Sequence, residues 1–294
     1  MTHYVLTGID GSPRSEATAR WAAGEAVRRG VPLRLLHAWP WLSPQDGEDT
    51  GGFRPGDLRP AALRALADIA DRIRQEHPAL VVETAVVGDD RVDALVRAAE
   101  RQDLLVLGSR GLGGFAGLLA GSVALAMAAR VTTPLVLVRA EGSASPKDGT
   151  AERGEVVVGV DALQPPDTVI DFAFAEAARR GAHLRAVHGW DPVPLWAATS
   201  WVPPRSEIAA REAALRRLLC EALAAAGAAY PDVPVVTEIR HGSAAHALVT
   251  AGDAADVVVV GRRDRRHPLG MRLGPVAHAV LHHCAVPVAV VPHA

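Results

Sequence analysis

Gly108, Gly111, Gly121 and Ser122 fall in the pattern G-x2-G-x9-G-S, directly after the apolar run at 104–107. Glycine lets a backbone approach a ligand closely and take conformations that other residues resist. A helix opening at Gly121 and Ser122 has free N–H groups and a partly positive end, both suited to a phosphate. Ser122 either caps that helix or gives its hydroxyl to a phosphate oxygen, while Arg110 adds a cation nearby. A nest of amides with few bulky side chains is a phosphate cradle. The competing reading is a glycine loop with a purely structural purpose.

Such a cradle needs strands and helices to aim it. Strand-like segments near 3–9, 33–38, 80–87, 103–107 and 134–139 alternate with helical patterns near 13–29, 60–76, 90–101 and 121–130. Ser12 before Pro13 reads as a helix N-cap with proline in the first turn, and Asp89 or Asp90 as a cap for the third helix. Several strands are continuous apolar runs, the mark of a parallel sheet covered on both faces. Right-handed crossovers then give a doubly wound α/β sheet, with ligands bound beyond the strands' carboxyl ends where the winding reverses. The first strand delivers Gly8, Ile9 and Asp10 to that edge, and the fourth delivers Gly108 to Gly111.

The same order of elements runs twice. YVLTGIDGS from Tyr4 returns as VVVGVDAL from Val156, LRLLHAW from Leu33 as LRAVHGW from Leu184, and TTPLVLV from Thr132 as AVPVAVV from Ala285. The 294 residues therefore divide into a domain over 1–141, a small polar linker over 142–154 and a second domain over 155–294. The second copy keeps Gly159, Asp161 and Gly189 at the places of Gly8, Asp10 and Ala38, and Gly261 and Gly274 at the glycine spacing. Asp264 replaces the second glycine, however, and Pro275 replaces the serine. A carboxylate beside a triphosphate is repulsive by about 1 kcal/mol or more where solvent is partly excluded, and proline removes an amide donor. Arg262, Arg263, Arg265, Arg266 and Arg272 offer an anion another route, or form a solvated loop. The second site is expected to bind nucleotide weakly or not at all.

With its GID and HAW strand ends and its G-x2-G-x9-G-S signature, nearly the whole chain resembles the universal stress protein family in tandem two-domain form. That resemblance implies two five-stranded, Rossmann-like parallel sheets of strand order 3-2-1-4-5. It also implies ATP, with magnesium as a companion, as the ligand of copies carrying the glycine signature. It places the nucleoside near Gly8, Ile9, Asp10 and Ala38, with Val87 helping to wall the base. The phosphates fall on Gly108, Gly111, Gly121, Ser122 and the Val123 amide, and Asp10 offers its carboxylate to the ribose or the adenine amine. It further implies that the last strand of each copy joins domains or subunits, giving a pseudo-dimer within one chain and allowing a homodimer.

Charge and composition exclude other classes. Thirty-one basic against 33 acidic residues leave a net charge of −2, without a field to draw nucleic acid or an anionic membrane. No stretch reaches the ~18 continuous apolar residues of a membrane span. The two cysteines lie far apart, and a cytosolic location is expected. There is no G-x4-G-K-[ST] lysine and no paired carboxylates for magnesium, so a nucleotide-dependent stress regulator is favoured over a slow ATP-hydrolysing or phosphoryl-transferring enzyme. The remaining alternative is a nucleotide-free interaction scaffold. His278, His282, His283 and Cys284 carry metal-binding side chains but lack a matching partner motif, so no metal is expected. His37 and His188, at equivalent strand ends, are expected to fix loops by hydrogen bonding. The tryptophan-bearing segments at 39–57 and 190–204 read as lids, partner surfaces or covers of the sheet edge.

Overall fold

The computed structural model describes residues 3–39, 58–109, 120–139, 154–191, 204–264 and 273–294. The chain forms two compact units, Met1–Ser145 and Pro146–Ala294. The first runs β1 (Val5–Gly8), α1 (Pro13–Arg29), β2 (Leu33–Ala38), α2 (Leu58–Glu76), β3 (Val82–Val87), α3 (Arg91–Ala99), β4 (Leu104–Gly108), α4 (Ser122–Arg130) and β5 (Leu135–Val138). Its strands are ordered β3-β2-β1-β4-β5 and every pairing is parallel. The second runs β6 (Glu155–Gly159), α5 (Asp167–Arg180), β7 (His183–Trp190), α6 (Arg205–Ala229), β8 (Val235–His241), α7 (Ala244–Gly252), β9 (Val257–Arg263), α8 (Pro275–His283) and β10 (Val288–His293). Taken from β8 to β10, its order repeats that of the first unit. Both units thus have the expected doubly wound, Rossmann-like 3-2-1-4-5 sheet.

The apolar runs lie where a parallel sheet buries them. Leu104, Leu105 and Val106 are inaccessible to solvent, as are Val156, Val157 and Val158. The two cores place large side chains on different helices. Phe174 on α5, fully buried, stands at the position of Ala23 on α1, whereas Ala226 on α6 stands at that of Ile73 on α2. Phe174 is held by a stacked ring contact with Tyr230, 6.1 Å between centroids.

Helix starts differ in an informative way. Ser12 caps α1 with extended backbone, φ −79° and ψ 155°, and its side chain accepts from the Ser15 amide. Pro13 then fills the first turn at no hydrogen-bonding cost. The second copy reads Leu163, Gln164, Pro165, Pro166, and each residue before a proline is pushed out of helical conformation. Accordingly α5 starts at Asp167 without a side-chain cap and has 14 residues against the 17 of α1. Asp90 caps α3 by accepting from the Val92 and Asp93 amides, while Asp89 bonds the Asp90 amide and pairs with Arg97.

At the amino edge of the second sheet, buried Glu155 accepts from Arg185 Nε and sits 2.9 Å from His183 Nε2. The bond to Glu155 holds the Arg185 guanidinium above its ordinary pKa, against the desolvation that opposes it. At the carboxyl edge, α7 rides directly on β7. A Cβ built on Gly189 would lie 2.5 Å from Ala244 Cα and 2.8 Å from its amide nitrogen, both backbone atoms that cannot yield locally. Gly189→Ala is therefore expected to cost about 1–3 kcal/mol, read as a lowered urea midpoint with an unchanged slope.

Candidate functional site

The carboxyl edge of the first sheet is organised around the exit of β1. Ile9 continues the ladder by donating its amide to Leu36 O at 2.8 Å. Its carbonyl accepts from His37 Nδ1 at 2.7 Å. A carbonyl only accepts, so Nδ1 carries the proton, and the Ile9 peptide is tied to β2 at both ends. This matches the loop-fixing expected of His37. In the second copy His188 Nδ1 lies 3.0 Å from Val160 O and 3.2 Å from the Ala162 amide, which donates to it, so a histidine at this strand end meets the following loop in both copies.

Beyond Ile9 the chain turns sharply. Gly11 has φ +83°, a left-handed conformation that glycine adopts without strain. Asp10 Oδ1 accepts from the Ser12 amide at 3.0 Å and from Ser12 Oγ at 2.7 Å. Gly8 stands in close quarters, since a Cβ there would meet Leu107 Cδ2 at 2.8 Å and Leu95 Cδ2 at 3.2 Å. Ala38 and Val87 are partners across β2 and β3, half-buried, and the Trp39 amide adds a 3.0 Å bond to Val87 O.

β4 ends at Gly108, opposite Val138 of β5. Ser109 donates its amide to Val138 O at 2.8 Å, and its own carbonyl accepts from the Gly121 amide at 2.6 Å. That second bond draws the start of α4 onto the end of β4. Gly121 is the N-cap, with φ −77° and ψ 161°, and no side chain caps the helix. Ser122 is thus the first helical residue, exposed, and does not serve as the cap. The Ser122 and Val123 amides stand at the positive end of the helix, the donor set a phosphate suits. Gly8, Ile9, Asp10, Ala38, Val87, Gly108, Gly121, Ser122 and Val123 thus share one edge of one sheet. Arg110 and Gly111 lie outside the described residues, as do 40–57 and 192–203 of the tryptophan-bearing segments.

The equivalent edge of the second unit is built differently. Gly274 repeats the N-cap conformation, φ −66° and ψ 158°, again without a side-chain cap, but Pro275 takes the first helical position. β9 and β10 pair on past Gly261 through Arg262 and Arg263, and the Asp264 amide closes the extension on His293 O at 2.6 Å. The His293 ring lies 2.9 Å from where a Cβ on Gly261 would stand. Arg263 donates to the Gln164 side chain at 2.9 Å, bridging the end of β9 and the loop after β6. Gly159 repeats the crowding of Gly8, with Leu248 Cδ1 2.7 Å from its built Cβ. Asp161 accepts from the Leu163 amide at 3.0 Å. Arg265, Arg266 and Arg272 lie outside the described residues. The bridge and the His293 overlay escape sequence reasoning, although the prolines at 165 and 166 signal the lost helical turn that leaves Gln164 in the loop.

The His278 and His282 rings lie side by side on α8, tilted by 43° with centroids 4.5 Å apart. Among the described residues no three His, Cys, Asp or Glu side chains cluster as metal ligands. No described helix is long and apolar enough to cross a membrane.

A parallel sheet reversing at its first strand, with an uncapped helix start beside that strand's exit, defines the Rossmann-like class whose ligands sit at the carboxyl edge. The universal stress protein family model matches residues 1–139 and again 152–292, and the chain belongs to this family as a tandem repeat. A universal stress protein of Mycobacterium tuberculosis is 32% identical over 295 residues, covering 98% of this chain and 96% of that protein. One of Mycolicibacterium smegmatis is 30% identical over 306 residues, covering 99% and 97%. Among solved structures, a universal stress protein from Archaeoglobus fulgidus has the same fold, with a TM-score of 0.70 at 18% identity, covering 99% of this chain and 98% of its own.

Replacing His37 tests the pin. His37→Leu removes the donor to Ile9 O and is expected to lower stability by about 1 kcal/mol. His37→Asn, whose amide can donate from nearly the Nδ1 position, should recover part of that loss in the same urea titration.

Proposed function

We propose that the first unit binds an adenine nucleotide, ATP with its magnesium, at the carboxyl edge of β1 and β4, and that the chain acts as a nucleotide-dependent regulator. One observation carries this reading: the uncapped start of α4 is held against β4 by the Ser109–Gly121 bond, beside the Gly8–Asp10 exit. Amides at a helix start stabilise phosphate oxygens through hydrogen bonds and the helix dipole together. In this reading Gly108, Gly111, Gly121, Ser122 and Val123 hold the phosphates and Arg110 adds charge. Gly8, Ile9 and Ala38 bring backbone close to the nucleoside, Val87 walls the base, and Asp10 accepts from the ribose or the adenine amine. Occupancy then favours one arrangement of the edge, and a partner that distinguishes the two arrangements reads it. Self-association as a homodimer belongs to the same proposal.

The second unit is the weaker site. Asp264 and Pro275 subtract from the cradle, and the Arg263–Gln164 bond and the His293 ring occupy the corresponding edge.

Calorimetric titration of ATP against the whole chain, with the co-purifying nucleotide identified, tests both parts. One high-affinity site per chain is expected. Gly111→Asp combined with Ser122→Pro imports the second copy's residues and should weaken that site at least about tenfold, as losing one charge-assisted bond does. Two equal sites would refute the asymmetry, and no binding by the wild-type chain would remove the nucleotide reading.

A further inference from the structure

Ser12 is buried, and its hydroxyl works in two directions at once. It donates to Asp10 Oδ1 at 2.7 Å and accepts from the Ser15 amide at 3.1 Å. The Ser12 amide adds a second donor to the same Asp10 oxygen at 3.0 Å. Two donors converging on one carboxylate oxygen restrict how the carboxylate can turn. The cap of α1 and the orientation of Asp10 are therefore one hydrogen-bonded unit.

The second copy supplies an internal control. Leu163 stands at the place of Ser12, exposed, with no hydroxyl. The backbone bond survives, from the Leu163 amide to Asp161 Oδ1 at 3.0 Å, while the side-chain bond and the first turn of the helix are gone. β6, β7 and β9 still pair in the same order as β1, β2 and β4. The same strand order thus forms without the hydroxyl, whereas a histidine close to the carbonyl after the first strand is found in both copies. It occurs in the copy whose glycine spacing is intact.

We propose that Ser12 is a positioning residue for the ligand of the first unit. Its hydroxyl holds the Asp10 carboxylate ready to accept from a donor on the nucleoside, a ribose hydroxyl or the adenine amine. The inference rests on the nucleotide reading above. Orienting the carboxylate before the ligand arrives removes an ordering cost from binding.

Calorimetry on the full chain with ATP, 2′,3′-dideoxy-ATP and inosine triphosphate tests it. Ser12→Ala is expected to weaken ATP about tenfold. The analogue lacking the donor that Asp10 receives should bind Ser12→Ala and wild type alike: the dideoxy compound for a ribose contact, inosine triphosphate for the amine. Ser12→Thr, which keeps the hydroxyl, should bind ATP within about twofold of wild type. In an Asp10→Asn background, Ser12→Ala should add no further loss. An equal weakening of all three nucleotides with a lowered melting temperature would reduce Ser12 to a helix cap and overturn the proposal. Unchanged ATP affinity in Ser12→Ala would overturn it too. Failure of the nucleotide reading shows separately, in a wild-type chain that binds none of the three, and the inference falls with it.

Discussion

Parallel pairing of β1 with both β2 and β4 is the constraint on which the rest of the first unit depends. Parallel neighbours cannot be joined by a tight turn, so each connection crosses a face of the sheet and re-enters at the amino edge. The exits of β1, β2, β3 and β4 are thereby collected at the opposite edge. With β1 central, the chain leaving it has a strand on either side. The Ile9 peptide is bonded to β2 through Leu36 and His37, and the Gly8 α-carbon is hemmed in by Leu107 of β4 and Leu95 of α3. A residue larger than glycine there has to displace leucine side chains from a packed core, so the sheet itself selects the small residue at its exit.

The two copies show how far one fold can be carried toward different ends. Both keep the strand order, the apolar strands and a histidine close to the carbonyl of the residue that follows the first strand. They differ where strands leave the sheet. In the first, β4 stops at Gly108 and a backbone bond brings α4 to it. In the second, β9 and β10 run on by two further paired residues, and side chains from Arg263 and His293 cover the edge. None of these changes disturbs the core, because all lie beyond the last buried valine of each strand. Loops at a sheet edge can thus be rebuilt while the layers beneath them stay the same.

Much of this was legible from residue types alone. Continuous valine and leucine runs marked buried parallel strands, the repeat marked two units, and Ser12-Pro13 marked the start of α1 within a residue. Ser122 was ambiguous between cap and first helical residue, because glycine and serine both suit the cap position and the local sequence holds no tie-breaker. Gly121 takes it because its amide is bonded to Ser109, twelve residues earlier, a contact set by where β4 and α4 meet. Gly189 read as the counterpart of Ala38 at the ligand edge. Its lack of a side chain also answers to Ala244, which packs over it from another element.

The sequence by itself determined the strand and helix order, the tandem arrangement and the glycine spacing, since periodicity, capping and turn chemistry act over a few residues. Tertiary structure decided which amides stand uncapped at the edge and which side chains cover it. Those outcomes depend on bonds such as Ser109 to Gly121 and Arg263 to Gln164, made between groups distant along the chain. A hydrogen bond forms only where the fold brings donor and acceptor to about 3 Å, and no local pattern encodes that distance.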